Sequence, residues 1–119
     1  MPVRYYRDLS VWQRGYSLAL ESYRIAARLP SHERFGLSAQ IRSAAVSIPA
    51  NIAEGHGRVH SGDYLHHLSM ARGSAMELET HFLIVEGLGY VTSADLATAM
   101  RLLDEISRML TKLIRVLSR

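Results

Sequence analysis

Apolar side chains return every three or four residues along four stretches of this 119-residue chain, with glycine, proline and capping residues between them. That period places them on one face of a helix, whereas a half-buried strand would alternate every second residue. The first stretch opens at Asp8 or Ser10, and Ser10 with Gln13 has the spacing of a capping box. Its expected inward face is Leu9, Trp12, Tyr16, Ala19, Leu20, Tyr23 and Ala27, and Pro30 ends it. The second starts after Ser31 and turns Leu37, Ile41, Ala44, Ala45, Ile48 and Ile52 inward, ending at Gly55 and Gly57. Pro49 lies inside it, lacks an amide hydrogen and crowds the carbonyl of Ala45, so a kink is expected there. The third runs from about Ser61 to Leu88 with Tyr64, Leu65, Leu68, Ala71, Leu78, Phe82 and Val85 inward, and Gly89 stops it. The fourth opens on Thr92-Ser93-Ala94-Asp95, another box-like cap, and carries Leu96, Met100, Leu103, Ile106, Leu110, Leu113, Ile114 and Leu117. Short connections favour antiparallel neighbours. The expected architecture is therefore all-α: an antiparallel, up-down four-helix bundle in one domain over residues 1–119, with its second helix kinked at Pro49.

Composition narrows the function. Hydrophobic residues make up 48% and charged residues 21%, which is enough apolar content for a packed core and argues against disorder. Cysteine is absent, so disulfides, thiolate metal sites and cysteine nucleophiles are all excluded. The opening MPVRYYRDLS lacks the apolar core of a signal peptide, and no apolar run approaches the ~20 residues of a membrane span. A cytoplasmic protein without a membrane partner is the expectation. The net charge is +3, and Lys112 is the sole lysine among fourteen cations, so the positive surface is almost entirely arginine. The planar guanidinium fork binds two phosphate oxygens at once. Segment 61–92 is net acidic, while 1–34 and 93–119 are net basic, an unevenness that hints at an anionic partner.

A set of short stretches carries a family resemblance: Asp8-Leu9 with Val11-Trp12-Gln13, then Gly36-Leu37 with Gln40-Ile41-Arg42. Ser43-Ala44-Ala45-Val46-Ser47-Ile48-Pro49-Ala50-Asn51-Ile52-Ala53-Glu54-Gly55 is the most specific of them. Ala71-Arg72-Gly73-Ser74, Glu77-Leu78-Glu79-Thr80 and Leu88-Gly89-Tyr90 complete the set, in order and over nearly the whole chain. With these, the chain resembles the bacterial proteins encoded in 23S ribosomal RNA intervening sequences. The resemblance implies a left-handed four-helix bundle, often assembled as a homopentamer, with no established enzyme activity. A related branch, the accessory variability determinant protein of diversity-generating retroelements, looks like a basic pentameric barrel that contacts nucleic acid and a reverse transcriptase. The partners that the resemblance implies are nucleic acid and a reverse transcriptase.

Four constellations bear on chemistry. Arg101, Arg108, Lys112, Arg115 and Arg119 fall in one narrow sector of the fourth helix, opposite its apolar residues. Such a strip can follow a phosphate backbone, or it can be a solvated face whose cations favour the negative end of the helix dipole. Arg72, Glu79 and Glu86 recur every seven residues near the apolar face of the third helix, and Arg42, Asn51 and Glu54 lie in the helix expected to pack on it. Buried without partners, such groups cost several kcal/mol each, so Arg42, Glu54, Arg72 and Glu79 are expected to form structural ion pairs between helices or subunits. His56, His60, Asp63 and His67 have helical spacing, but Gly57 and Gly62 interrupt the run, and no metal or other cofactor is expected there. Val11, Leu18 and Ile25 form a heptad stripe off the face assigned to the core, which suits a subunit contact or scattered surface apolar residues. Nucleotide-loop, nucleophile-elbow and zinc-protease motifs are absent. The combined expectation is a non-enzymatic, homo-oligomeric scaffold or adaptor associated with RNA or DNA; the alternative is a protein-interaction module whose basic face only confers solubility.

Overall fold

The computed structural model describes residues 5–58 and 60–119. Four helices carry the fold: α1 (Ser10–Ala27), α2 (Leu37–His56), α3 (Ser61–Gly87) and α4 (Ser93–Leu117), with short 3-10 turns at Tyr6–Asp8 and Ser31–Glu33. Among the described residues no strand occurs. Each helix packs on its neighbours in sequence, and α1 closes the ring against α4, leaving α1 and α3 diagonal to one another. This is the bundle that the four apolar periods require.

Local chemistry sets the ends. The capping box opening α4 is formed: Thr92 Oγ1 accepts from the Asp95 amide at 3.1 Å, and Asp95 Oδ2 accepts from the Thr92 amide at 2.9 Å. Gly89 takes φ +81° after α3, and the Tyr90 amide reaches back to the Val85 carbonyl, so the chain reverses where only glycine is unstrained. The expected Ser10–Gln13 box does not form. Leu9 is the N-cap of α1, and the Gln13 side chain donates instead through Nε2 to the Arg7 carbonyl at 2.8 Å, anchoring the preceding turn. α2 begins later than Ser31, because Glu33 folds back to accept from the Leu37 amide. It then continues through Pro49 without ending.

One contiguous core runs the length of the bundle, built on Leu18, Ile41, Ile48, Ile52, Leu68, Leu78, Phe82, Ile106 and Leu110. Its α1 contribution corrects the expected inward face. Val11, Leu18 and Ile25 are 4%, 0% and 2% exposed, all inside their own bundle, while Tyr16 and Tyr23 are each 49% exposed. α1 is thus turned by about one-third of a turn, at ~100° per residue, from the expected orientation. Close approach is the reason. Gly15 and Ser22 share the buried stripe, and a Cβ on Gly15 would sit 3.4 Å from that of Pro49. The Ser22 hydroxyl is satisfied by the Leu18 carbonyl at 2.7 Å. A stripe of small and aliphatic residues lets α1 and α2 meet closely, and the bulky aromatics are left at the rim. The assignment of Val11, Leu18 and Ile25 to a subunit contact is therefore replaced by a core role.

Candidate nucleic-acid interface

α4 is strongly amphipathic: Leu96, Ala99, Leu102, Leu103, Ile106 and Leu110 are buried, and of the five expected cations Arg101, Arg108, Lys112 and Arg115 are exposed on the helix while Arg119 is exposed two residues past its end. The structure divides those five. Arg101 donates to Glu105 at 3.1 Å, and the other oxygen of Glu105 accepts from Arg14 of α1 at 2.8 Å. The Arg14 hydrogen bond, with Arg101 beside it, holds the Glu105 carboxyl below the usual carboxylate range. Arg101 is thereby committed to a bridge between α1 and α4. Arg108, 80% exposed, pairs with Asp104 at 3.1 Å. Exposed pairs of this kind contribute at most about 1 kcal/mol, and a phosphate can displace the carboxylate. Among the described residues, Lys112, Arg115 and Arg119 have no acidic group within 4.0 Å. Arg108, Lys112 and Arg115 line a shallow hollow of about 460 Å³ with the hydroxyls of Ser107 and Thr111. The centre of positive charge therefore lies in the last three turns of α4.

The expected ion-pair ladder is not assembled. Glu79 is exposed, and among the described residues neither it nor Arg72 lies in an ion pair. The Arg42 guanidinium donates to the Arg34 carbonyl at 3.3 Å, and Glu54 pairs at 2.7 Å with Arg58, two residues past the end of α2, with His67 Nε2 of α3 at 3.9 Å. A polar network joins α2 to α3 in place of the ladder. Asn51 donates to the Ser47 carbonyl at 2.8 Å and to its hydroxyl at 3.0 Å. Its carbonyl oxygen faces His67 Nδ1 at 3.0 Å, and the Ser47 and Ser74 hydroxyls meet at 2.8 Å. Because the amide already spends its N–H groups on Ser47, His67 must donate through Nδ1. An amide thus stands between His67 and the serines, so this network does not supply a base to a hydroxyl nucleophile. The other members of the histidine run are spread out: His56 packs edge-on against Tyr64 and His60 is the N-cap of α3. No group of three or more potential ligands among the described residues is placed to hold a metal ion.

Sequence reasoning missed the exposed apolar face. Tyr16, Leu20 and Tyr23 of α1, with Trp12 beside them, meet Val46 and Pro49 of α2 around a hollow of about 290 Å³. Trp12 and Tyr16 stack with ring centroids 5.6 Å apart. The signal that would have found this face is the small-residue pattern Val11-Gly15-Leu18-Ser22-Ile25, which marks the tightly packed side of α1 and leaves the aromatics outside. No described helix is long and apolar enough to cross a membrane.

Comparison with known proteins agrees with the architecture. No curated protein matches the chain. A crystal structure of a protein of unknown function from the S23 ribosomal protein family of Bacteroides thetaiotaomicron superposes with a TM-score of 0.81 at 24% identity, covering 87% of this chain and 97% of that one. At that identity the likeness speaks for the fold. The family model for the 23S rRNA-intervening sequence protein matches residues 7–112, nearly the full length, and the chain belongs to that family.

Proposed function

We propose that this protein is a non-enzymatic, homo-oligomeric helical scaffold that associates with nucleic acid through the C-terminal half of α4. The observation that carries the reading is the exposed run of Lys112, Arg115 and Arg119, without acidic partners among the described residues, continued by Arg108 on the same side. Phosphate neutralisation by such a run releases counterions, so binding is independent of sequence and falls steeply with salt. Self-association repeats the run around a symmetry axis and turns a net charge of +3 into a multivalent surface. The exposed face of Trp12, Tyr16, Leu20, Tyr23 and Val46 supports that assembly, since contiguous apolar surface of this kind is costly to leave in water. A pentamer and a reverse transcriptase among the partners belong to this reading on family grounds, and a cytoplasmic setting belongs to it on the sequence pattern.

Gel shifts with short RNA and DNA duplexes, scanned over ionic strength, test it. Replacing Arg108, Lys112 and Arg115 together by Glu is expected to abolish the shift while circular dichroism stays helical. Undiminished binding by that variant refutes the α4 site. No binding by the parent at low salt leaves the second reading, a protein-interaction module, which the same apolar face favours.

A further inference from the structure

The corner between α1 and α2 carries a second basic feature, at the far end of the bundle from the C-terminus of α4. Tyr90 donates to Glu33 at 3.0 Å and Arg28 bridges to Asp95, so this corner lies against the start of α4. The 25 residues of α4 then separate it from the Lys112–Arg119 run by up to about 36 Å, at ~1.5 Å per residue.

Phe35 stands on this corner 86% exposed, the most exposed of the large apolar side chains. Its position is imposed by the fold around it. Glu33 accepts from the Gly36 amide through its carbonyl at 2.9 Å, from the Leu37 amide through Oε1 at 3.3 Å and from Tyr90 through Oε2. Gly36 allows that folding back, since a Cβ there would lie 2.8 Å from Glu33 Oε1. A loop tied on both sides of Phe35 holds the ring outward, away from the core.

The charges around it are unbalanced. Glu33 is occupied as described, Asp95 is held by Arg28, and Glu21 is paired with Arg24 at 3.0 Å. Among the described residues Arg34 and Arg42 have no acid within 4.0 Å. The Arg34 guanidinium lies 5.2 Å from the centroid of the Phe35 ring, and both arginines, with Ser31 and Ser38, border a hollow of about 290 Å³ floored by Leu29 and Pro30. Arg34 covers one face of the ring and leaves the other open, and an open aromatic face beside two guanidinium groups without acidic partners is the pairing that binds a flexible nucleic-acid strand: the ring takes a base and the arginines take phosphates. A duplex keeps its bases stacked inside and has no use for the ring.

We propose that Phe35, Arg34 and Arg42 form a single-strand contact site in which one unpaired base stacks on Phe35. It rests on the reading that this chain binds nucleic acid, and it adds the class of strand. The test is fluorescence anisotropy at low salt with a labelled single strand of about twelve thymidines, within the roughly 4–16 nucleotides common for single-strand sites. A duplex of equal length is the second probe, and light scattering gives the particle mass. Phe35→Ala is expected to weaken single-strand binding about tenfold, within the range for one stacked base, and to leave duplex binding and mass unchanged. Phe35→Trp should retain binding, and Arg42→Gln should weaken it. Parent-like single-strand affinity in Phe35→Ala overturns the site, as does an equal loss on both probes or a change in particle mass, which would mean that another subunit covers the ring. Parent protein that binds neither probe overturns this site and the α4 reading together. Full duplex binding by the α4 triple variant, with the Phe35 effect intact, removes only the α4 site.

Discussion

Leu18→Ala and Tyr16→Ala, two residues apart on α1, have opposite consequences if the helix is oriented as described. Leu18 is wholly buried at the centre of the bundle. Truncation removes its transfer free energy and leaves a cavity that the surrounding core only partly fills. Comparable buried leucines cost about 2.7–5 kcal/mol on truncation, and alanine brings no helix-propensity penalty to offset or add to that. Tyr16 is 49% exposed, and its main contact is the stack with Trp12. Its removal should cost a single chain roughly 0.5–1.5 kcal/mol, the range for one aromatic pair. Urea unfolding followed by far-UV circular dichroism separates the two. With a slope near 2 kcal/mol per molar, the Leu18 variant should unfold about 1.4–2.5 M earlier and the Tyr16 variant well under 1 M earlier. The scan belongs at several protein concentrations, because self-association stabilises the folded state by mass action. The Leu18 loss should persist at every dilution. The Tyr16 loss should grow with concentration if its face is a subunit contact. A Leu18→Ala midpoint within error of the parent, with Tyr16→Ala the costlier at the highest dilution, would mean that α1 presents its aromatic side to the core.

Two glycines give a paired prediction. A Cβ on Gly55 would lie 2.8 Å from that of His67 and 3.0 Å from the Tyr64 ring, so Gly55→Ala should destabilise by about 1–3 kcal/mol despite the better helix propensity. Nothing lies within 4 Å of a Cβ on Gly73, mid-way along α3, so Gly73→Ala should stabilise by about 0.5–1 kcal/mol; thermal unfolding that ranks the two the other way round would refute the described α2–α3 contact. Acid sensitivity follows from Asp95, whose carboxyl is held below its ordinary range by the Thr92 amide, the Thr92 hydroxyl and Arg28, and from Glu105, held down by Arg14 and then Arg101. For groups with depressed values the stabilisation is present above the unfolded-state range and is lost as pH falls through the folded-state value. Melting temperature should therefore drop on acidification below the usual carboxylate range, and Asp95→Asn with Glu105→Gln should flatten that limb; an unchanged slope would assign it to other acids.

Much of this protein is legible in residue order alone. The apolar period of 3.6, the Thr92–Asp95 box and the reversal at Gly89 are local: each depends on neighbours within a turn, so the sequence determines four helices and most of their ends. The outward placement of Arg101, Arg108, Lys112, Arg115 and Arg119 was equally readable, because the apolar side of α4 is unambiguous. Helix α1 was not. Val11, Leu18 and Ile25 compete there with Trp12, Tyr16 and Tyr23, and a helical period alone admits either face. Contact with Pro49 settles the competition in favour of the side where Gly15 and Ser22 permit close approach. For the same reason the charge ladder of Arg72 and Glu79 dissolved: whether a charge near an apolar face is buried depends on how far the neighbouring helix is turned. The tertiary structure alone also decided that Glu105 of α4 would engage Arg14 of α1, and that Tyr90 would hold the Glu33 side chain beside Phe35. Those are contacts between elements distant in sequence, and no period along a single helix encodes them.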